Sequence, residues 1–324
     1  MLRLIIWFIA IIVLVISPFL GAIFLSPFDI LKVGSMEQNI FLDIRLPRLI
    51  FSFSAGALLA LCGLLYQTLF RNPLMTPYTL GISSGAVLGA GIAIKLNLGM
   101  FAFGIAMVSI FGFIGAMGTA VLLLFLAQYL PSRNHNTLLL LGIALSLFYT
   151  SALMIVFFLG DAMQNDILLR FSMGSLSIIG WHYPILLTIL AIFTILAIYF
   201  YRFELLLLAL NEESALLRGV DVKKVTLILL LISSLAIGTL VGISGPIGFV
   251  GLIIPHIVSK LYPVSLSHRI GKTALFGGFF LVFCDTLTRI IDTQSELPIG
   301  IVTALIGAPF FIYLIISRSK KTKH

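Results

Sequence analysis

Charge is what this sequence has least of. Only 10% of its 324 residues are Asp, Glu, Lys or Arg, against 60% hydrophobic, and mean hydropathy is +1.18. No soluble domain places that much apolar side chain inside, so a water-soluble enzyme or binding module is excluded and a polytopic membrane protein remains. Cysteine is nearly absent as well. Cys62 and Cys284 lie in apolar runs, far from a second ligand at metal-binding spacing, which excludes a disulfide scaffold and leaves them as packing residues. There is no Walker motif, no glycine-rich phosphate loop and no nucleophile with a base at recognisable spacing, so catalysis by this chain is not expected. No metal site is expected either.

The gaps between charges carry the architecture. A helix rising about 1.5 Å per residue needs about 20 apolar residues to cross hydrocarbon. Uncharged runs cover 4–28, 49–70, 72–94, 96–132, 134–160, 171–201, 225–259 and 297–317, and two of them, 96–132 and 225–259, exceed one span. The reading is an all-α protein of ten helical segments near 4–25, 48–70, 78–95, 102–130, 137–159, 184–202, 225–243, 247–261, 272–291 and 298–317. The apolar stretch after Arg3 is too long for a signal-peptide core and lacks a small-x-small cleavage site, so it is read as a span. The whole of 1–324 forms one transmembrane domain whose longest polar connection is 203–224.

With the N-terminus inside, fourteen of the 20 basic residues fall on the cytoplasmic side and six outside: Lys32, Arg45, Arg48, Lys95, Arg170 and Arg289. This bias places both termini in the cytoplasm. The net charge of +8 then orients the chain in lipid and gives no reason to expect nucleic acid. Arg45 and Arg48 are exceptions on the outer face. They either snorkel to headgroups or meet an acidic partner, and Pro47 between them suits a helix start.

Gly242-Ile-Ser-Gly-Pro-Ile-Gly-Phe-Val-Gly251 precedes a segment too short to cross alone. Backbone freed by glycine and proline at membrane depth is tolerated only inside protein or beside a water-filled cavity, so this stretch belongs within the bundle. Asn72 to Pro77 makes a similar break. Gly81, Gly85 and Gly89 share one helix face and read as close helix packing.

In 201–225, Asn211 can cap a short helix with Glu212 and Glu213 in its first turn, and Gly219 can end it in a left-handed conformation. Such a helix shows Ala215, Leu216 and Leu217 outward, to a partner or to the lipid interface. Asp285 and Arg289, at i and i+4, can pair or mark a functional site. His256 has no second ligand at i+3 or i+4 and reads as structural or pathway-lining.

Taken together, Arg45-Leu-Pro-Arg48, Gly56-Ala-Leu-Leu-Ala, Gln67, Arg71-Asn-Pro-Leu74, Pro77-Tyr-Thr-Leu-Gly81 and Gly85-Ala resemble the FecCD family of ABC-importer permeases. So do Gly245-Pro-Ile-Gly-Phe-Val-Gly-Leu-Ile-Ile-Pro-His256, Asp285 with Arg289, and Glu296-Leu-Pro-Ile-Gly300 running to Gly307-Ala-Pro309. The resemblance implies a BtuC-like fold of ten transmembrane helices, in a bacterial or archaeal cytoplasmic membrane. It also implies a second permease subunit, identical or related, two cytoplasmic ATPase subunits carrying ATP and Mg, and an extracytoplasmic binding protein.

By position in that family, Arg45, Arg48 and Arg289 receive the binding protein's acidic residues. Glu212, Ala215, Leu216, Arg218 and Gly219, in the coupling loop 203–224, meet the ATPase. His135 and Asn136 stand where the pathway narrows, a place where the family more often carries small hydroxyl residues. The implied cargo is a metal chelate, a ferric siderophore first, with haem and vitamin B12 as alternatives. The rivals are an ion-gradient-driven transporter, which needs an ionisable relay near mid-membrane, and a membrane enzyme, which needs clustered acid-base residues.

Overall fold

The structure, a computed structural model, describes residues 2–21, 30, 34–98, 101–102, 105–127, 135–291 and 297–321. Lys32 and Glu296, named in the sequence reading, lie outside the described residues. The described residues are helical almost throughout, with α1 (Leu2–Ile16), α2 (Met36–Leu69), α3 (Ile82–Lys95), α4 (Met107–Ala127), α5 (His135–Leu159), α6 (Ala162–Met173) and α7 (His182–Phe200). There follow α8 (Arg202–Leu210), α9 (Glu212–Leu217), α10 (Val222–Ser244), α11 (Val250–Leu261), α12 (Leu266–Ile291) and α13 (Ile299–Lys321). The pairing of Phe101–Ala102 with Ile105–Ala106 is the one strand contact among the described residues.

Five helices, α2, α5, α7, α10 and α12, are long and apolar enough to cross a membrane, and shorter apolar helices lie in α1, α3, α4, α11 and α13. These are the ten expected segments. Sequence reading missed α6 and α8. The first is capped by Asp161, whose side chain accepts from the Gln164 backbone N–H while Gln164 accepts from Asp161, a reciprocal arrangement that starts a helix without help from hydropathy.

Helix α2 is the axis of the bundle, 89% buried over its most apolar window, and packs against α7, α11 and α12. It starts well before Pro47, contrary to the expected start there. Proline cannot donate to the carbonyl four residues back. The helix absorbs this with a π-helical turn, Phe41–Arg45, in which the Leu46 N–H reaches the Phe41 carbonyl, and continues as α-helix through Leu69.

Close contacts with its neighbours rest on glycine. A Cβ at Gly56 would strike the Gly277 carbonyl of α12, and one at Gly63 the Gly251 carbonyl of α11. The glycine stripe of α3 divides: Gly85 and Gly89 meet α4 at Gly115 and Phe111, whereas Gly81, left-handed at φ +79°, faces Gly142 of α5. Helix α5 is the opposite of α2, with only 6% of its apolar window buried within the chain.

The break before α11 lies inside the protein, as the sequence requires. Ser244, Gly245 and Ile247 are buried, and Phe249 takes a left-handed φ of +67° as N-cap of α11. An extended segment, Gly174 to Ile179, meets it there. Ser175 N–H donates to the Ser244 carbonyl at 2.7 Å, and Ile299 N–H to the Gly174 carbonyl at 3.2 Å, so the extended segment is satisfied by the open ends of α10 and α13.

Candidate functional site

Arg45, Arg48, Asp285 and Arg289 gather at one end of α2 and α12, which run antiparallel. Asp285 is 1% exposed, and Arg48 donates to its Oδ1 from Nε at 3.0 Å and from Nη2 at 2.8 Å. Arg289, one turn on, places Nη2 3.2 Å from Oδ2, so the expected i, i+4 pair is formed. The same Arg289 donates to the carbonyls of Ser17 and Leu20 and to the Ser17 hydroxyl, and Arg45 Nη1 donates to the Leu20 carbonyl at 2.6 Å.

Ser17 and Leu20 follow the C-terminal end of α1, where the helix dipole is negative and carbonyls can accept further donors; the Ser17 carbonyl also accepts from the Leu20 N–H at 3.3 Å. Two guanidiniums cap that end. Gly21, at φ +149°, has no room for a side chain because Arg45 occupies that space. The three arginines are thus 9%, 6% and 4% exposed in the order Arg45, Arg48, Arg289, and hold α1, α2 and α12 together. The sequence marked these side chains by charge alone, and only the fold reveals the carbonyls that receive them. Asp285 sits between two cations, Arg48 and Arg289.

At the other end of the molecule, α9 forms as the sequence indicates. Asn211 accepts from the Glu213 N–H at 3.3 Å, Glu212 and Glu213 occupy the first turn, and Gly219 has φ +80°. One expectation is corrected. Ala215 is fully buried against the bundle, and only Leu216 at 52% and Leu217 at 89% are exposed, because a helix this short fixes one face inward as it packs. Arg218 and Gly219 are exposed, and Glu212 is half-buried.

His135 and Asn136 open α5, and their side chains lie outside the described residues. His256 lines a cleft of about 320 Å³ walled by α2, α8, α11 and the start of α12. It follows Pro255, whose missing N–H leaves the Gly251 carbonyl without its helical donor. Gln67 of α2 supplies that donor: its Nε2 reaches the Gly251 carbonyl at 3.0 Å and the Leu252 carbonyl at 3.3 Å. No cluster of three or more metal-ligating side chains occurs among the described residues.

The profile of the FecCD transport family matches residues 9–317. YvrB of Bacillus subtilis, an uncharacterised ABC transporter permease protein, is 38% identical over 89% of this chain and 83% of its own. The hemin transport system permease protein HmuU of Yersinia pestis is 34% identical over 87% of this chain and 85% of its own. A solved structure described as an inward-facing conformation of a metal-chelate type ABC transporter superposes with a TM-score of 0.82, at 29% identity, over 96% of this chain and 99% of its own.

Proposed function

The chain belongs to the FecCD transport family, and from that membership we propose that it is the membrane-spanning permease subunit of an ATP-binding-cassette importer that passes a metal chelate to the cytoplasm. The observation that carries this reading is the likeness to the metal-chelate type transporter over 96% of the chain. The cargo proposed is a ferric siderophore, with haem and vitamin B12 as the alternatives for the same machine.

We propose a position on the chain for each partner. A second permease subunit is proposed against α5, whose apolar window is 6% buried within the chain. The ATPase subunits, which would carry ATP and Mg, are proposed on α9, where Leu216 and Leu217 offer an exposed apolar ridge flanked by Glu212 and Arg218. The basic-residue bias supports a cytoplasmic position for that face and for both termini. His135 and Asn136, at the first turn of α5, are proposed to narrow the pathway at this end, and His256 to face water there.

The binding protein is proposed to dock at the end bearing Arg45, Arg48 and Arg289. A guanidinium grips a carboxylate with two parallel hydrogen bonds, and clustered cations add long-range attraction. Since these side chains already hold Asp285 and the α1 carbonyls, docking requires that some of those contacts be exchanged for the incoming carboxylates.

The assembly is tested by co-expressing the chain with ATPase and binding-protein subunits of the same organism and weighing the intact complex by native mass spectrometry. Two permease and two ATPase subunits per complex are expected. A permease that purifies with no ATPase, and transports its cargo alone, would overturn the reading.

A further inference from the structure

Helix α1 rests on α12 at two points. Near its start the Trp7 ring meets Phe276 and Phe279 edge-on, with centroids 5.3 and 5.8 Å away, and just past its end Ser17 accepts from the Thr286 hydroxyl at 2.8 Å. The two helices therefore run parallel. Beside them, with α11 as the third wall, lies a cleft of about 310 Å³ whose sides include Ala10 and Val13 of α1, Ile257 of α11 and Phe276, Phe279 and Phe283 of α12.

The lining is hydrocarbon and aromatic ring throughout. Its one polar group, the Trp7 indole N–H, already donates to the Tyr262 hydroxyl at 2.9 Å. Water admitted to such a cleft finds no partner, and an empty cleft forfeits the dispersion contacts of its walls.

The position of the cleft in the membrane decides what fills it. Phe276, Phe279 and Phe283 recur at i, i+3 and i+7, on one face of α12, so the cleft extends about 10 Å along the helix axis. Lys272 stands one turn before Phe276 on the same face, with its Nζ 4.9 Å from the centroid of the Tyr262 ring. Trp, Tyr and Lys are the side chains that anchor a membrane protein at the level of the headgroups. Trp7, Tyr262 and Lys272 therefore set one end of the cleft at that level, and the three phenylalanines carry it inward to the depth of acyl chains. Ile9 and Phe283 on its rim are 53% and 41% exposed, so it opens toward lipid.

We propose that this cleft holds one acyl chain of a membrane phospholipid, with the lipid's phosphate beside Lys272. The chain fills the gap between α1 and the rest of the bundle. Lys272 gives one N–H to the His268 carbonyl, at 3.4 Å, and an ammonium has others to offer a phosphate. The inference stands on the cleft and on the membrane location, independently of what is transported.

The chain has two tryptophans, which makes the test direct. Trp7 lines the cleft, whereas Trp181, before α7 and 36% exposed, does not, and reports lipid in general. Trp181→Phe and Trp7→Phe each leave one indole. Both full-length proteins are delipidated in an alkyl maltoside and titrated with phosphatidylcholine brominated at mid-chain, which quenches an indole it touches. Quenching of Trp7 should saturate at a lipid-to-detergent ratio about tenfold lower than that of Trp181, as a bound chain requires.

Ala10→Phe, added to Trp181→Phe, fills the cleft and should raise the Trp7 ratio to that of Trp181. Ile257→Phe fills it from α11 and serves if Ala10→Phe does not fold. Parallel quenching of the two indoles, or a Trp7 curve that the filling variants leave unchanged, would overturn the proposal. A brominated alkyl maltoside that quenches Trp7 at the same low ratio would overturn it too, because the phosphate would then contribute nothing.

Discussion

Arg48 grips Asp285 through Nε and Nη2 on a single carboxylate oxygen, from a helix 237 residues away in sequence and with both side chains buried. A buried ion pair contributes little over an apolar pair of the same shape, but removing one partner strands the other charge, at a cost of about 3–5 kcal/mol. Asp285→Ala is therefore expected to lower the thermal midpoint sharply in detergent. Arg48→Met with Asp285→Leu should recover much of that loss. If the single and double variants unfold together, the pair is not a clamp.

Gln67 and Pro255 form a similar complementary set. Gln67→Leu leaves the Gly251 carbonyl without a donor, an expected loss of about 1–3 kcal/mol. Restoring a backbone N–H with Pro255→Ala should reduce that loss, since α11 can then satisfy its own carbonyl. A thermodynamic cycle on the two positions measures the coupling, and strictly additive effects would contradict it.

Docking at the arginine cluster is best tested at Arg45, which lies outside the Asp285 pair. Arg45→Glu should weaken binding-protein affinity at least about tenfold, as repulsion replaces attraction, and wild-type affinity should fall with added salt. Affinity is measured by surface-immobilised binding protein against permease in nanodiscs. Unchanged affinity in the variant would leave Arg45 solely as a cap on α1.

At α9 the proposed ATPase contact can be tested apart from stability, because Leu217 is exposed and Ala215 is buried. Leu217→Asp, at an exposed site, should change stability by no more than about 0.5 kcal/mol while reducing cargo-stimulated ATPase activity of the assembled complex. Ala215→Asp puts a charge into the packed face and should destabilise the loop itself. Full stimulation in Leu217→Asp would remove this ridge from the ATPase contact.

The spans were legible because lipid demands long uncharged runs, and the cap residues of α9 because Asn211 and Gly219 act locally. Local signals also misled. Pro47 suits a helix start, yet the π-helical turn before it lets α2 run from Met36. Arg45, Arg48 and Arg289 looked outward because their acceptors, Asp285 and the carbonyls of Ser17 and Leu20, are distant in sequence for all but the i, i+4 pair. The extended Gly174–Ile179 segment sits in an uncharged run and carries no hydropathy signal of its own. Its hydrogen-bond partner, the Ser244 carbonyl at the end of α10, is supplied only by the fold.

The central claim is that this chain is the passive membrane half of an ATP-driven chelate importer. Its most direct test is uptake into proteoliposomes containing the permease and its ATPase, with cargo-loaded binding protein outside and ATP inside, for ferric siderophore, haem and vitamin B12 in turn. The account predicts uptake of one of these that requires hydrolysable ATP and persists when ionophores collapse every ion gradient. Uptake that proceeds without ATP and stops with the ionophores would contradict it.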